Sequence, residues 1–171
     1  MARAAGKRAL VRFYQKFGPW LLGLFVLFVD ILTKAWTHAS LPRMSESLPI
    51  YPYGGIGVFQ NFLGIEFSLS HATNKGAAWG LGSEYQMPLL YLRILLLLGI
   101  AGWLLFFNKN SKLRYPFALI LAGAFGNVID YFIYGHVVDM FHFVLWGYDF
   151  PVFNVADSAI FLGVLWLFLM F

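Results

Sequence analysis

Long apolar stretches alternate with short polar segments along the chain, and this pattern predicts membrane-spanning helices. A helix needs about 20 consecutive apolar residues to cross the hydrocarbon core of a bilayer. Four stretches are apolar enough and long enough, at about residues 18–36, 88–107, 115–134 and 154–171. No small-residue cleavage site follows the first stretch, so we expect a retained helix rather than a cleaved signal peptide. The pattern predicts a single polytopic membrane domain over residues 1–171.

The longest interval between these helices, about residues 37–87, is expected to lie outside the membrane. It contains several prolines and a glycine-rich run, Tyr53-Gly54-Gly55-Ile56-Gly57. The run Ile65-Glu66-Phe67-Ser68-Leu69-Ser70 alternates apolar and polar residues, as a half-exposed strand does. The predicted fold class is therefore all-α membrane, with four transmembrane helices and a small β-containing element outside the cytoplasm.

The composition excludes the soluble classes of protein. Of the 171 residues, 60% are hydrophobic and only 12% are charged, whereas a soluble domain carries about 25% charged residues. A chain of this length could not bury so many large apolar side chains in a core surrounded by water. A disordered or nucleic-acid-binding protein is excluded on the same grounds, so no nucleic-acid partner is expected despite the net charge of +4. Without cysteine, disulfides and thiolate chemistry are impossible.

Lysine and arginine cluster on one side of the predicted topology, and cytoplasmic flanks are enriched in these residues. Eight of the 12 basic residues lie before the first helix or between the second and third: Arg3, Lys7, Arg8, Arg12, Lys16, Lys109, Lys112 and Arg114. The external segment on the other side has only Arg43 and Lys75. Both termini are therefore predicted to face the cytoplasm.

Ionisable residues within the predicted helices are candidates for function, because inserting a charge at a helix centre costs roughly 2.5–3.5 kcal/mol. Asp30 and Lys34 are four residues apart, so they share one face of the first helix, and we expect a structural ion pair. Arg93 lies about one turn into the second helix. We expect its side chain to extend to the interface or to pair with an acid.

Three acids and two amides converge near the outer end of the predicted bundle. Asn127 and Asp130 share one face of the third helix, and Asp139 follows that helix. Asn154 and Asp157 lie at the start of the fourth helix. Taken singly, Asp157 is explained as an N-terminal helix acid, Asn154 as its cap, and Asp139 as a loop acid. Taken together, two carboxylates that share a proton can supply the base and the acid of peptide hydrolysis.

Other hydrolytic chemistries fit the sequence poorly. A zincin needs His-Glu-x-x-His on a helix, and no such pair occurs among the four histidines, which are His38, His71, His136 and His142. His136 and His142 flank Asp139, so a metal site there is an alternative. We nevertheless expect no metal, and chelators are expected to have no effect on activity. Ser158 lacks the strained elbow of a serine hydrolase.

Five short motifs occur in one order along residues 30 to 160. They are the pair Asp30 and Lys34, then Asn74-Lys75-Gly76-Ala77-Ala78-Trp79, Gly126-Asn127-Val128-Ile129-Asp130, Gly135-His136-Val137-Val138-Asp139 and Phe153-Asn154-Val155-Ala156-Asp157. Together they resemble the motifs of the lipoprotein signal peptidase family, the type II signal peptidases of bacteria. Each motif alone is weak, whereas the five in order are specific.

The resemblance implies an aspartic endopeptidase of the bacterial inner membrane. Such an enzyme cleaves the signal peptide from diacylglyceryl-modified prolipoproteins before the lipobox cysteine. The resemblance implies that Asp139 and Asp157 form the catalytic dyad near the periplasmic face, and that the external segment forms a cradle or lid. It implies supporting or substrate-binding roles for Asn74, Gly76, Asn127, Asp130, Asn154, Asp30 and Lys34. Membrane lipids are expected partners besides the substrate, and we expect a monomer without a cofactor.

Tyr131 departs from the family pattern, which usually has arginine after the aspartate of Gly-Asn-x-x-Asp. Arginine offers five donors and a permanent charge, whereas tyrosine offers one hydroxyl. We hypothesise that Lys34 or Arg93 supplies the charge instead. The departure keeps an inactive, substrate-binding homologue open as an alternative.

A small proton- or ion-coupled transporter is a further alternative, with Asp130, Asp139 and Asp157 as the relay. Transporter relays usually lie near the bilayer midplane, whereas these acids cluster at one edge. The sequence therefore favours a peptidase.

Overall fold

The computed structural model describes residues 2–44, 50–76 and 82–170 as a helical bundle with a small sheet at one end. The four helices of this part of the chain are α1 (Ala2–Ser40), α2 (Gln86–Phe106), α3 (Arg114–Tyr134) and α4 (Val155–Phe168). Four strands form one antiparallel sheet in chain order: β1 (Ile56–Phe62), β2 (Ile65–Asn74), β3 (Val137–Leu145) and β4 (Tyr148–Asp149). The predicted mostly helical architecture with a small β element is thus confirmed.

Three of the described helices are long and apolar enough to cross a membrane, over Lys16–Ser40, Ser83–Phe106 and Ser111–Tyr134. Large apolar side chains project outward from these helices, such as Leu24 (64% exposed) and Leu95 (67% exposed), which suits contact with lipid. α4 is equally apolar but has only 14 residues, which span ~21 Å at the α-helical rise. The predicted count of four membrane spans is therefore not confirmed.

α1 is longer than the apolar pattern indicates, since it begins at Ala2 rather than near residue 18. The alanine, lysine and arginine residues of its first turns are good helix formers without being an apolar run. The basic residues that were expected to precede the first helix therefore belong to the same helix.

α3 lies at the centre of the bundle and packs against the other three helices. Glycines on α3 permit the closest of these contacts. A Cβ at Gly123 would collide with the carbonyl oxygen of Ala156 on α4, and a Cβ at Gly126 would collide with the Asp30 carboxylate on α1. Small residues let helix backbones approach in this way. Gly126 therefore brings the buried acid of α1 to the start of α4.

The sheet joins residues 56–74 to the chain that follows α3. The predicted strand at residues 65–70 is part of β2, which extends to Asn74 and pairs with β3. Ala72 lies opposite Asp139, and Asn74 lies opposite Val137. Asp139, for which a loop was the simple interpretation, thus lies on a central strand, and the pairing brings Asn74 to the same end of the sheet.

Candidate active site

Asp139 is a buried carboxyl group on β3, with only 2% of its surface exposed. Its Oδ1 accepts a hydrogen bond of 2.6 Å from Nδ2 of Asn154, and the side chain of Asn74 also bonds to it. The pKa of Asp139 is raised from 3.8 to about 7, mainly by burial and also by the nearby Asp157 carboxylate, against the opposing effects of these hydrogen bonds and of Lys34. Asp139 is therefore a carboxyl group that can hold a proton near neutral pH.

Asp157 lies in the first turn of α4, where it forms a reciprocal cap with Asn154. The Asp157 N–H donates to Oδ1 of Asn154 over 2.8 Å, and the Asn154 N–H donates to Oδ2 of Asp157 over 3.3 Å. Oδ1 of Asp157 accepts from Nδ2 of Asn127 over 2.8 Å. The fully buried Asn154 is thus a helix cap that also binds Asp139. One amide links the two acids.

A buried charge cluster lies beside the two acids. Nζ of Lys34 lies 2.8 Å from Oδ2 of Asp30 and 2.9 Å from Oδ2 of Asp130, and all three side chains are at most 3% exposed. The ion pair expected from the spacing of Asp30 and Lys34 is therefore present, and a second acid shares its cation. Such a cluster is stable only while its charges are paired.

The two acids of this cluster also hold backbone groups next to the candidate dyad. Oδ1 of Asp30 accepts from the Ala156 N–H over 2.8 Å, and Oδ2 of Asp130 accepts from the Val138 N–H over 3.2 Å. Ala156 precedes Asp157, and Val138 precedes Asp139. The charge cluster therefore fixes the backbone on which each candidate catalytic acid is carried.

Lys34 also sets the orientation of an amide that contacts Asp157. Its Nζ donates to Oδ1 of Asn127 over 2.8 Å, and Nδ2 of Asn154 lies 3.2 Å from the same oxygen. Two donors on one oxygen require that the NH₂ group of Asn127 point the other way, toward Asp157. Lys34 is thus a positioning residue for the hydrogen bond that Asp157 accepts.

The turn that follows β2 begins at Asn74, and two side chains hold this turn. Oδ1 of Asn74 accepts from the Gly76 N–H over 3.0 Å. The Gly76 carbonyl accepts from Nη2 of Arg93 over 2.6 Å, and the Lys75 carbonyl accepts from the Tyr131 hydroxyl over 2.9 Å. The Arg93 guanidinium also lies 5.4 Å from the centre of the Tyr131 ring. Among the described residues, Arg93 thus binds a carbonyl and pairs with no acid.

The remainder of this motif, residues 77–79, lies outside the described residues. Beside the described part is a cavity of about 580 Å³, a volume typical of a ligand site. Asp139 and Asn74 line it, together with Met44, Ala72, Thr73, Lys75, Ser83, His142, Asp149, Phe150, Pro151 and Val152. Sequence reasoning assigned no role in this cavity to His142 or Asp149, because the turn from β3 to β4 that brings them there has no strong sequence signal.

The two histidines that flank Asp139 in sequence have different partners. Nε2 of His142 lies 2.6 Å from Oδ1 of Asp149. The ring of His136 instead lies 6.4 Å from the ring of His38, in a group that includes His71. The pair His136 and His142 considered in the sequence analysis is therefore not the group with metal-binding geometry.

Comparison with known proteins supports the family whose motifs the sequence resembles, over most of the chain. The family model for signal peptidase II matches residues 22–171. A lipoprotein signal peptidase of Xylella fastidiosa strain M12 is 37% identical over 150 residues, which cover 85% of this chain and 82% of the relative. One from Staphylococcus aureus strain JH9 is 34% identical over 149 residues, with the same two coverages.

Two solved structures share the fold. Each is described as a bacterial membrane enzyme structure obtained by the in meso method, one at 2.3 Å and one at 1.9 Å resolution. The first has a TM-score of 0.74 and 27% sequence identity, and the match covers 90% of this chain and 86% of that one. The second has a TM-score of 0.71 and 28% identity, with coverages of 90% and 91%.

Proposed function

The chain belongs to the signal peptidase II family, and from this premise we propose that it is an aspartic endopeptidase that removes the signal peptide of diacylglyceryl-modified prolipoproteins. Cleavage is proposed before the modified lipobox cysteine. The family membership makes the chain a peptidase of lipoprotein precursors, and its apolar helices make it a membrane protein. The catalytic groups, the lipid requirement and the orientation are the parts proposed here.

The observation that carries the mechanism is the linkage of Asp139 and Asp157 through Asn154. A water molecule between the carboxyl groups would lose a proton to the ionised acid while it attacks the scissile carbonyl carbon. The protonated acid would donate to the carbonyl oxygen. Collapse of the tetrahedral intermediate then transfers a proton to the leaving amine and breaks the C–N bond. We assign the shared proton at neutral pH to Asp139 because its pKa is raised to about 7.

The supporting residues divide between the two acids. Asn74 and Asn154 donate to Asp139, whereas Asn127 donates to Asp157 under the control of Lys34. Asp30 and Asp130 would contribute by holding Lys34 and the backbone beside the dyad. Gly76 would contribute the turn after β2, where its N–H binds the Asn74 side chain.

We place the enzyme in the bacterial inner membrane, with both termini in the cytoplasm and the dyad near the periplasmic face. The basic residues at the start of α1 and in the turn from α2 to α3 support this orientation. α4 would be the fourth span, its outward side chains such as Phe161 and Phe168 in lipid. A dyad at the bilayer edge suits a substrate whose lipid tails stay in the membrane while its scissile bond meets water.

The external sheet would lie at the membrane interface as a cradle for the substrate. β1 and the turn after it expose apolar side chains that a fully hydrated loop would not favour, including Phe62 (63%) and Leu63 (78%). Trp146, on the turn from β3 to β4, is 74% exposed, as is common for aromatic residues at membrane interfaces.

A cleavage assay with two matched substrates tests the proposed function. The purified protein is incubated with a diacylglyceryl-modified prolipoprotein and with the same protein unmodified, and the product masses are measured. We expect cleavage directly before the modified cysteine and little cleavage of the unmodified form. A folded protein that cleaves neither substrate would indicate the inactive homologue, and Tyr131→Arg would then be the next variant to assay.

The pH dependence of cleavage is expected to be bell-shaped, because one carboxyl group must be ionised and the other protonated. The alkaline side should fall near pH 7, where Asp139 loses its proton. The measurement is kcat/KM from pH 4 to 9 with the lipidated substrate. A flat profile over that range would contradict a shared-proton dyad.

A stability measurement gives the same pKa without activity. Folding raises the pKa of Asp139 from 3.8 to about 7, so the folded state holds a proton that the unfolded state releases between those values. The stability due to that proton is therefore fully present below pH 3.8, and it is lost as the pH rises from there through about 7. Asp139→Asn should remove this pH dependence from the free energy of unfolding.

Arg93 and Tyr131 are expected to hold the turn that follows Asn74, through the carbonyls of Gly76 and Lys75. Arg93→Met leaves the buried Gly76 carbonyl without its donor, at a cost of about 1–3 kcal/mol. Because the turn can then shift, kcat/KM should fall by about 10²-fold.

Two conservative variants grade this effect. Arg93→Lys should retain part of the activity that Arg93→Met loses, and Tyr131→Phe should lower activity less because the ring is kept. Cleavage rates and unfolding temperatures are compared with Tyr91→Phe, an exposed tyrosine on α2. Full activity and stability in Arg93→Met would reject Arg93 as the replacement for the family arginine.

A further inference from the structure

Three histidines from separate parts of the chain meet at the junction of α1 with the sheet. His38 lies near the end of α1, His71 lies on β2, and His136 lies between α3 and β3. Their potential ligand nitrogens all lie within 4.8 Å of one another. His71 and His136 are buried, with 2% and 5% exposure. No contact described for the two candidate catalytic acids involves any of the three imidazoles.

One ring nitrogen of each histidine has no hydrogen-bond partner among the described residues. Nδ1 of His71 lies 3.0 Å from the Leu41 carbonyl oxygen, so Nδ1 donates its proton there and Nε2 keeps a lone pair. Nε2 of His71, Nε2 of His136 and Nδ1 of His38 are buried, and each lacks a hydrogen-bond partner among the described residues. Buried polar atoms are almost always satisfied by a partner. Three orphaned nitrogens in one place therefore indicate a ligand that binds lone pairs.

The electrostatics of the site keep the two buried imidazoles neutral, which is the form that binds a metal. Burial lowers the pKa of His71, and the charges of His38 and Arg43 lower it further against the opposing hydrogen bond to Leu41. Burial also lowers the pKa of His136, as do Arg43, the two other histidines and Lys75. Arg43 and Lys75 are cations near the site, and the Tyr134 ring lies against His38 at an angle of 34°, with ring centres 4.5 Å apart.

We propose that His38, His71 and His136 bind a Zn²⁺ ion, with water as the fourth ligand. Imidazole nitrogens at about 2.0–2.1 Å in a tetrahedral arrangement are the usual nitrogen ligands of zinc. The bond from His71 to the Leu41 carbonyl is the outer contact that zinc-binding histidines make. A zinc ion here departs from the sequence expectation of no metal, which considered only His136 and His142 as candidate ligands.

A zinc ion here would tie the outer end of α1 to the two central strands. β2 carries Asn74 and β3 carries Asp139, so the ion would stabilise the framework of the candidate site without taking part in hydrolysis. Chelation is therefore expected to lower the unfolding temperature and to leave cleavage intact at temperatures where the protein stays folded.

The test is metal binding by the full chain, purified in detergent through an affinity tag without histidine. Titration calorimetry with Zn²⁺ should give one site per chain, and Co²⁺ should give the intense visible absorption of a tetrahedral site. His71→Gln and His136→Gln should each weaken binding by at least about 100-fold. Zinc should raise the unfolding temperature of the unsubstituted protein but not of these variants.

Matched variants locate the site. His142→Gln removes the fourth histidine, which bonds to Asp149, and should bind zinc like the unsubstituted protein. Asp139→Asn should do the same, which separates this site from the cavity beside the dyad. If the buried variants do not fold, His38→Gln serves instead, because His38 is partly exposed.

Absence of a stoichiometric zinc site, or full zinc binding in the cluster variants, would overturn the proposal. Neither result depends on peptidase activity, so the proposal can fail while the proposed function stands.

Discussion

Replacement of Asp139 or Asp157 by asparagine is expected to lower cleavage of a lipidated prolipoprotein by at least about 10³-fold. Asparagine cannot exchange the proton that the proposed mechanism passes between water, carbonyl oxygen and leaving amine. Both variants should remain folded in the membrane, since asparagine has almost the shape of aspartate. The measurement is the rate of product formation by mass, with the amount of folded protein determined in parallel.

The two variants should differ in stability, and this difference tests the geometry separately from the chemistry. At position 139 the amide oxygen can still accept from Asn154, so little stability should be lost. At position 157 both carboxylate oxygens accept hydrogen bonds, and an amide has only one acceptor. Loss of half of this cap should cost about 0.5–2 kcal/mol.

Glu84→Gln is the control for the dyad variants, because Glu84 is an exposed carboxylate in the turn before α2. It should cleave at the rate of the unsubstituted protein. Cleavage by Asp139→Asn or Asp157→Asn at more than a tenth of that rate would remove the dyad from the mechanism. If the unsubstituted protein cleaves no substrate and the two variants lose ion or proton flux, the transporter alternative would be favoured instead.

Local spacing in the sequence predicted contacts within one helix but not their extension across helices. The interval of four residues indicated that Asp30 and Lys34 pair, and they lie 2.8 Å apart. That Asp130 shares the same ammonium, at 2.9 Å, follows from the close packing of α1 against α3. Periodicity within one helix carries no information about such a partner 96 residues away in the sequence.

β3 is the main element that the sequence analysis did not identify. Its sequence is Val137-Val138-Asp139-Met140-Phe141-His142-Phe143-Val144-Leu145, and its first four residues are all buried. A strand covered on both sides has no alternation of apolar and polar residues, which is the signal that revealed part of β2. The same absence of signal concealed the pairing that brings Asn74 beside Asp139.

The histidine cluster could not have been found from the sequence for a related reason. His71 follows His38 by 33 residues, and His136 follows His71 by 65 residues. No metal-ligand spacing relates residues so far apart in sequence. They meet because the end of α1, β2 and the start of β3 pack together. Sequence proximity offered only His136 and His142 as an alternative metal site, and these have different partners in the fold.

Lys34→Met is expected to destabilise the protein by about 3–5 kcal/mol, because it leaves buried carboxylates without their cation. Asp30 and Asp130 are almost fully buried, and Lys34 is the cation that pairs with both. The measurement is the free energy of unfolding in a denaturant titration in detergent. Lys112→Met, in the exposed turn between α2 and α3, is the control and should change stability by no more than about 0.5 kcal/mol. Equal stability of the two variants would contradict a cluster that depends on its central charge.

The double variant Lys34→Met with Asp130→Asn separates the structural effect of Lys34 from its effect on the dyad. Removing one buried acid together with the cation eliminates one unpaired charge, so part of the lost stability should return. Cleavage should not return, because Asn127 keeps only the longer bond from Asn154 and still lacks the Lys34 ammonium that holds its NH₂ group toward Asp157. Recovery of both stability and cleavage would mean that Lys34 acts only through folding. Recovery of stability alone would mean that Lys34 also holds Asn127 in the orientation that Asp157 requires.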